Sequence, residues 1–191
     1  MQQVESMITV EHMARLVALV GLPGAGKSVA TDVFVDNNFQ KIYFGGLTLE
    51  KLREEGLEIN EANERMMREK LRQEHGMAVY AILNIPKIEA ALEKGDVIID
   101  GLYSWEEYLV LREKFPNLEV VAIYAPPKDR YKRLSVRRER GLTEEEVKSR
   151  EVAEIEKLHK GGPIAIADWT VVNIGSEEEL KKQVRAYIDG K

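Results

Sequence analysis

The sequence contains no cysteine. Disulfides, thiolate metal centres and a cysteine nucleophile are therefore excluded. Histidine is scarce: His12, His75 and His159 stand far apart and form no metal-ligand pair at helical spacing. Long apolar runs are also lacking. No stretch is long enough to span a bilayer, and the first residues lack the basic-then-apolar layout of a signal peptide. These absences predict a soluble cytoplasmic protein with no membrane partner. There is no surplus of positive charge: 28 Lys and Arg face 33 Asp and Glu, for a net charge of −5. No stretch interleaves basic and aromatic residues, so no nucleic-acid partner is expected.

What is present suits one domain. At about 150 residues per domain, 191 residues favour one unit over two. Such a chain buries roughly 70% of its unfolded surface and needs no covalent staple. Met1 to His12 read poorly as core. Two readings stand for that segment: a short surface extension, or residues ahead of an alternative start at Met13.

Leu16 to Val20 is a continuous apolar run ending at Gly21. Its length, β-branching and glycine boundary predict a strand buried on both faces. Val97–Ile99, Val120–Tyr124 and Trp169–Val172 look alike, and Lys41–Phe44 makes a fifth strand. Helical patterns fill the gaps at Ser28–Asn37, Asn60–Glu74, Ala78–Lys94, Ser104–Phe115, Thr143–Lys160 and Ser176–Ile188. Pro86 should kink or split the third of these. Ser104 and Thr143 each precede a Glu by three residues, the capping-box spacing. Alternating strands and long helices predict an α/β fold with a mainly parallel sheet.

The segment Gly21-Leu22-Pro23-Gly24-Ala25-Gly26-Lys27-Ser28 fits the phosphate-loop pattern G-x-x-x-x-G-K-[ST] in full, between a buried strand and a helix. Gly21, Gly24, Ala25 and Gly26 turn backbone N–H groups around a phosphate, and the helix opens with Lys27, Ser28 and Val29. Lys27 brings a point charge to the β- and γ-phosphates of ATP, and the Ser28 hydroxyl is a Mg²⁺ ligand. Asp100 closes the strand Val97–Ile99. Strand carboxyl ends gather ligands in open α/β sheets, so Asp100 is expected to hold the metal's waters.

Seven basic residues crowd the stretch from Lys128 to Arg140. Arg130, Arg133 and Arg137 share a helical face, which suits charge developing on a transferring phosphoryl group. Gly141-Leu142-Thr143 then turns the chain into the next helix, making a flap able to close over a nucleotide. Arg65 and Arg68 have glutamate neighbours at pairing distance along their helix and read as surface residues. Arg72, near the end of that helix, is a candidate grip for an anionic substrate. Tyr103 and Trp105, beside Asp100, either stack on a flat substrate group or pack the first turn of their helix.

Together these residues resemble nucleoside monophosphate kinase-like P-loop proteins, nearest to microbial proteins related to adenylate kinase and dephospho-coenzyme A kinase. The likeness runs from about Arg15 to the C-terminus. It rests on the phosphate loop, Asp100-Gly101, the Arg130/Arg133/Arg137 helix, Arg150, and the segment from Ala167-Asp168 to Asn173-Ile174-Gly175-Ser176. It implies a three-layer P-loop kinase fold: a five-stranded, mainly parallel sheet with a helical substrate-binding insertion and a helical lid. The core would span about 15–45, 95–128 and 160–191, the insertion about 46–94 and the lid about 129–159. It implies transfer of the γ-phosphoryl of ATP to a small-molecule acceptor by a monomer or homodimer. Lys27, Arg133 and Arg137 would stabilise the transferring group, with Asp100 beside them in the catalytic set. Ser28 would bind Mg²⁺ directly and Asp100 through water. Asn173 and Gly175 would lie near the adenine, and Arg150 would reach back toward the phosphates.

The sequence also departs from those families. Gly45 to Leu49 carries no charge where monophosphate kinases place an arginine and dephospho-coenzyme A kinases an aspartate. Leu102 to Trp105 lacks the arginine expected after the Asp-Gly pair. Either Lys51, Arg53 or Arg72 substitutes, or the acceptor is no ordinary nucleoside monophosphate. Three functions fit: a kinase for a nucleotide or nucleotide-like acceptor, a dephospho-coenzyme A kinase, or a nucleotide-binding regulator or slow ATPase with no small acceptor.

Overall fold

The structure is a computed structural model and describes residues 14–136 and 143–190. The expectations for residues 1–12, and for Arg137 and the Gly141-Leu142 turn, lie outside the described residues. Five strands form one sheet: β1 (Leu16–Val20), β2 (Gln40–Tyr43), β3 (Val97–Asp100), β4 (Glu119–Tyr124) and β5 (Trp169–Val172), in the order β2-β3-β1-β4-β5. All four pairings are parallel. Parallel neighbours need crossovers, and helices supply them. α1 (Lys27–Asp36) joins β1 to β2, and α2 (Gly46–Glu54), α3 (Glu61–His75) and α4 (Val79–Leu92) join β2 to β3. α5 (Trp105–Lys114) leads to β4. α6 (Pro127–Ser135), α7 (Glu144–Glu156) and the short α8 (Gly161–Ala165) lead to β5, and α9 (Glu177–Asp189) follows it.

The central strand shows how the layers arise. Successive side chains of a strand point to opposite faces. Leu16, Ala18 and Val20 enter a core with Leu52, Met67, Tyr80, Ile88 and Leu111 from α2 to α5. Val17 and Leu19 enter the other core, with Val33 and Phe34 of α1 and Leu180 and Val184 of α9. An apolar run is thus required, because neither face of β1 meets water. The result is the three-layer P-loop kinase-like fold.

Several sequence expectations need correction. β5 is not buried on both faces: it lies at the sheet edge, and only Val171 is buried. Pro86 neither splits nor ends its helix, since α4 runs through it to Leu92. Proline lacks the N–H that would bond the Ile82 carbonyl, and Ile82 lies at the surface where water can serve that group. The helix opened by Thr143 stops at Glu156 rather than Lys160. His159 then adopts a left-handed conformation (φ 51°), and α8 follows. The helical patterns of the sequence do not include α2. It starts from Gly45 with no side-chain cap, so no local signal marks it.

Candidate functional site

The loop after β1 is shaped by contacts only glycine allows. Gly26 has φ 107°, and a β-carbon there would stand 2.4 Å from Asn173 Nδ2. Gly24 has φ 77°, and its β-carbon would meet the Arg130 carbonyl at 2.7 Å. Gly26 caps α1 without any side-chain hydrogen bond, and the first turn holds no acid. The free N–H groups and positive dipole end of α1 are therefore open to an anion. Lys27 Nζ donates to the carbonyls of Gly21 (2.7 Å) and Leu22 (3.2 Å). Burial pushes its ammonium down to about 7, with Lys160 and Arg150 adding to the effect and Glu154 and Asp100 opposing it. A buried cation short of counter-charge favours an arriving phosphate.

Ser28 is exposed on the first turn of α1, and Val29 is half-buried behind it. Asp100 ends β3 level with Leu19 of β1 and Tyr43 of β2, at the same strand ends as the loop. Its Oδ2 pairs with Lys41 Nζ at 2.8 Å. The hydroxyl and carboxylate are hard oxygen donors, the chemistry Mg²⁺ prefers. Among the described residues no group of three or more acids or histidines forms a cage.

On the other flank, Asn173 and Arg133 clamp the loop. Asn173 Nδ2 donates to the Ala25 carbonyl at 2.8 Å. Arg133 Nη2 donates to the Asn173 carbonyl (3.0 Å) and Oδ1 (3.3 Å), and its Nη1 to the Gly24 carbonyl (3.4 Å). Gly175 is not part of the clamp, and the side chain nearest to it is Glu179. Arg130 does not share the site with Arg133. It is buried, donates to the carbonyls of Ala125 (2.9 Å) and Pro23 (3.4 Å), and pairs with Glu151 of α7. It fastens α6 to the loop and to α7.

A family model described as AAA domain matches residues 17–159. A UPF0200 protein of Thermococcus kodakarensis is 34% identical over 179 residues, covering 91% of this chain and 96% of its own. One of Hyperthermus butylicus is 33% identical over 177 residues, covering 91% and 94%. The chain belongs to the UPF0200 family. Among solved structures, a shikimate kinase from Bacteroides thetaiotaomicron matches with TM-score 0.59 at 15% identity, over 92% of this chain and 98% of that one. A gluconokinase from Sinorhizobium meliloti matches with TM-score 0.58 at 14% identity, over 93% of each chain. At that identity the likeness is one of fold, that of P-loop small-molecule kinases. The link to adenylate kinase or dephospho-coenzyme A kinase in particular has no counterpart among these relatives.

In this UPF0200 protein the side facing β2 and β3 holds the remaining candidates. The Tyr103 ring lies 4.6 Å beneath Lys160 Nζ. Burial, then Tyr43 and Asp100, push its hydroxyl above the ordinary tyrosine range. Trp105 has a packing role: it stacks on Tyr108 (5.1 Å) and covers Gly162 of α8. Arg72 lies 5.0 Å over the Tyr80 ring, and its buried Nε has no partner. Arg65 and Arg68 pair with Glu69, Glu61 and Glu64, as their spacing predicts. Arg150 is largely exposed and reaches Glu154 Oε1 at 3.2 Å.

Four residues escaped the sequence reading. Lys160 is 1% exposed and is held by Glu154. Lys41 pairs with Asp100. Glu107 is fully buried, and burial pushes its carboxyl up to about 7. Lys160 stands before Gly161-Gly162-Pro163, a turn signal, and nothing in that local pattern marks a buried charge. Glu154 and Glu107 sit in charge-rich helices where a glutamate normally faces water.

Proposed function

We propose that the protein is an ATP-dependent kinase that transfers the γ-phosphoryl of Mg-ATP to a nucleotide or nucleotide-like acceptor. The observation that carries this reading is the uncapped loop at α1 with half-buried Lys27, facing Asp100 across the carboxyl ends of β1 and β3. The loop amides and Lys27 hold the β- and γ-phosphates. Ser28 and, through water, Asp100 hold Mg²⁺, which neutralises charge on the phosphates. Arg133 and Asn173 fix the loop on the adenine flank. Arg137 would add positive charge to the transferring group, and Arg150 would reach toward the phosphates. Residues 129–159 act as the lid and 46–94 as the acceptor-binding insertion, with Arg72 and Tyr103 turned to the acceptor. An acceptor oxygen bonds to the γ-phosphorus as the bond to the ADP oxygen breaks, and the acceptor's proton passes to Asp100.

Two structural neighbours bear the names gluconokinase and shikimate kinase, which supports the class but not the acceptor. Gly45 and Gly46 supply no acid, which weighs against a dephospho-coenzyme A kinase. The uncharged stretches 45–49 and 102–105 favour a second reading, a nucleotide-binding regulator or slow ATPase.

ADP release from Mg-ATP, measured against nucleoside monophosphates, nucleosides and dephospho-coenzyme A, tests the proposal. One acceptor should raise the rate far above background. Lys27→Ala should lower that rate about 100-fold, roughly the ~2.7 kcal/mol of one preorganised donor. A flat panel with slow, Lys27-dependent hydrolysis would favour the second reading.

A further inference from the structure

Lys160 is a buried ammonium for which sequence analysis offers no role. A lysine is almost never fully buried unless paired, because desolvating its charge is costly. Its partner, Glu154, is shared: Oε2 contacts Lys160 Nζ at 2.5 Å while Oε1 accepts from Arg150 Nε at 3.2 Å. Lys27 lies close enough for Glu154 and Lys160 both to act on it. One carboxylate thus serves three cations. Asp100, which also acts on Lys27, is matched by Lys41. Glu107 acts on Lys160 as well. Four cations (Lys27, Lys41, Arg150 and Lys160) thus face three acids (Asp100, Glu107 and Glu154), one anion short, beside the loop and its free amides.

The backbone around Lys160 is fixed. His159 is in the left-handed region, and its Nδ1 lies 2.8 Å from Glu106 Oε1 on α5. Lys160 N–H bonds the Glu154 carbonyl at 3.2 Å, and Gly162 packs under Trp105. A non-glycine residue held in this sparsely populated conformation is often found at a functional site. Below the ammonium is the Tyr103 ring, three residues beyond Asp100. Lys160 therefore sits where the turn after α7 meets the segment that follows Asp100.

We propose that Lys160 is a second phosphoryl-binding cation, which contacts the terminal phosphate of a nucleoside triphosphate opposite Lys27 and replaces the charges absent from 45–49 and 102–105. Glu154 is the positioning residue that aims it. This rests on the kinase reading above and adds a residue to that site. Burial pushes the Lys160 ammonium down while Glu154 opposes the shift. A bound phosphate supplies further negative charge and stabilises the ammonium form.

The test compares Mg-ADP and Mg-ATP binding by calorimetry, with basal ATP hydrolysis, for the full chain. The variants are Lys160→Met, Lys160→Arg, Lys27→Ala and the double change Lys160→Met/Glu154→Gln, which avoids leaving a buried carboxylate short of its partner. Lys160→Met and the double variant should keep ADP affinity within ~2-fold and lose at least ~10-fold in ATP affinity. They should lose ~100-fold in turnover, the scale of one preorganised donor. Lys160→Arg should restore most of the ATP preference. Equal ADP and ATP affinities relative to wild type in the double variant, with only a lowered melting temperature, would make the pair purely structural and sink the inference. If the wild type binds neither nucleotide, the kinase reading and this inference both fall. If it binds ATP, Lys27→Ala loses it and the folded Lys160 variants do not, only the role of Lys160 falls.

Discussion

Glu107 shows how much one buried group can decide. It closes the capping box of α5: Oε2 accepts from the backbone N–H groups of Tyr103 (2.7 Å) and Ser104 (3.1 Å). Oε1 is buried with no partner, as is Nε of nearby Arg72. Burial raises the carboxyl to about 7, against the backbone bonds and Arg72, which favour its charged form. The sign of the pH effect follows. A raised pKa means the folded state keeps a proton the unfolded state has already lost. Stability from this group is thus complete below about 4.5, declines as pH rises toward 7, and is flat above it. Glu107→Gln keeps an acceptor for both amides and removes the ionisation. The variant should gain on wild type by about 3 kcal/mol between pH 4 and pH 8. Denaturant unfolding at the two pH values measures this, and an unchanged difference would mean that Glu107 is already neutralised by a closer charge.

At the scale of elements, the sequence was informative where a local rule holds and silent where tertiary contacts decide. The capping boxes at Ser104 and Thr143 are present, and the same box at Ser176 and Glu179 opens α9. Ser176→Ala should cost about 1 kcal/mol of stability, the usual worth of such a cap, and thermal unfolding can confirm it. α2 and α8 escaped notice because each starts from a residue in helical geometry with no side-chain cap. The phosphate loop was legible since its glycines answer to geometry. Gly26→Ala would force a β-carbon against Asn173 in a left-handed backbone. It should break the Asn173–Ala25 bond and lower nucleotide affinity as well as stability. The cluster around Lys160 was not legible, because its members come from β1–α1, β3, α7 and the α7–α8 turn, and only the fold brings them together.

At the scale of the whole molecule, one parallel sheet keeps two cores apart and gathers every proposed ligand contact at its carboxyl edge. The insertion leaves from the end of β2, and the α6–α7 segment from the end of β4. Helices α2 to α4 supply Leu52, Met67, Tyr80 and Ile88 to one core, so closing over a nucleotide cannot move those helices without disturbing that core. Ligand that binds only the folded state stabilises it by RT ln(1 + [L]/Kd), about 2.7 kcal/mol at a hundred times Kd. For a chain of this size each kcal/mol moves the melting temperature by about 2–4 °C, so saturating Mg-ATP should raise it by roughly 5–10 °C. Lys27→Ala should abolish most of that rise while leaving the ligand-free melting temperature near wild type, since it removes a half-buried cation whose hydrogen bonds go to loop carbonyls. A scan with and without Mg-ATP reads both quantities. A Lys27→Ala protein that keeps the full ligand-induced rise would show that the nucleotide sits elsewhere.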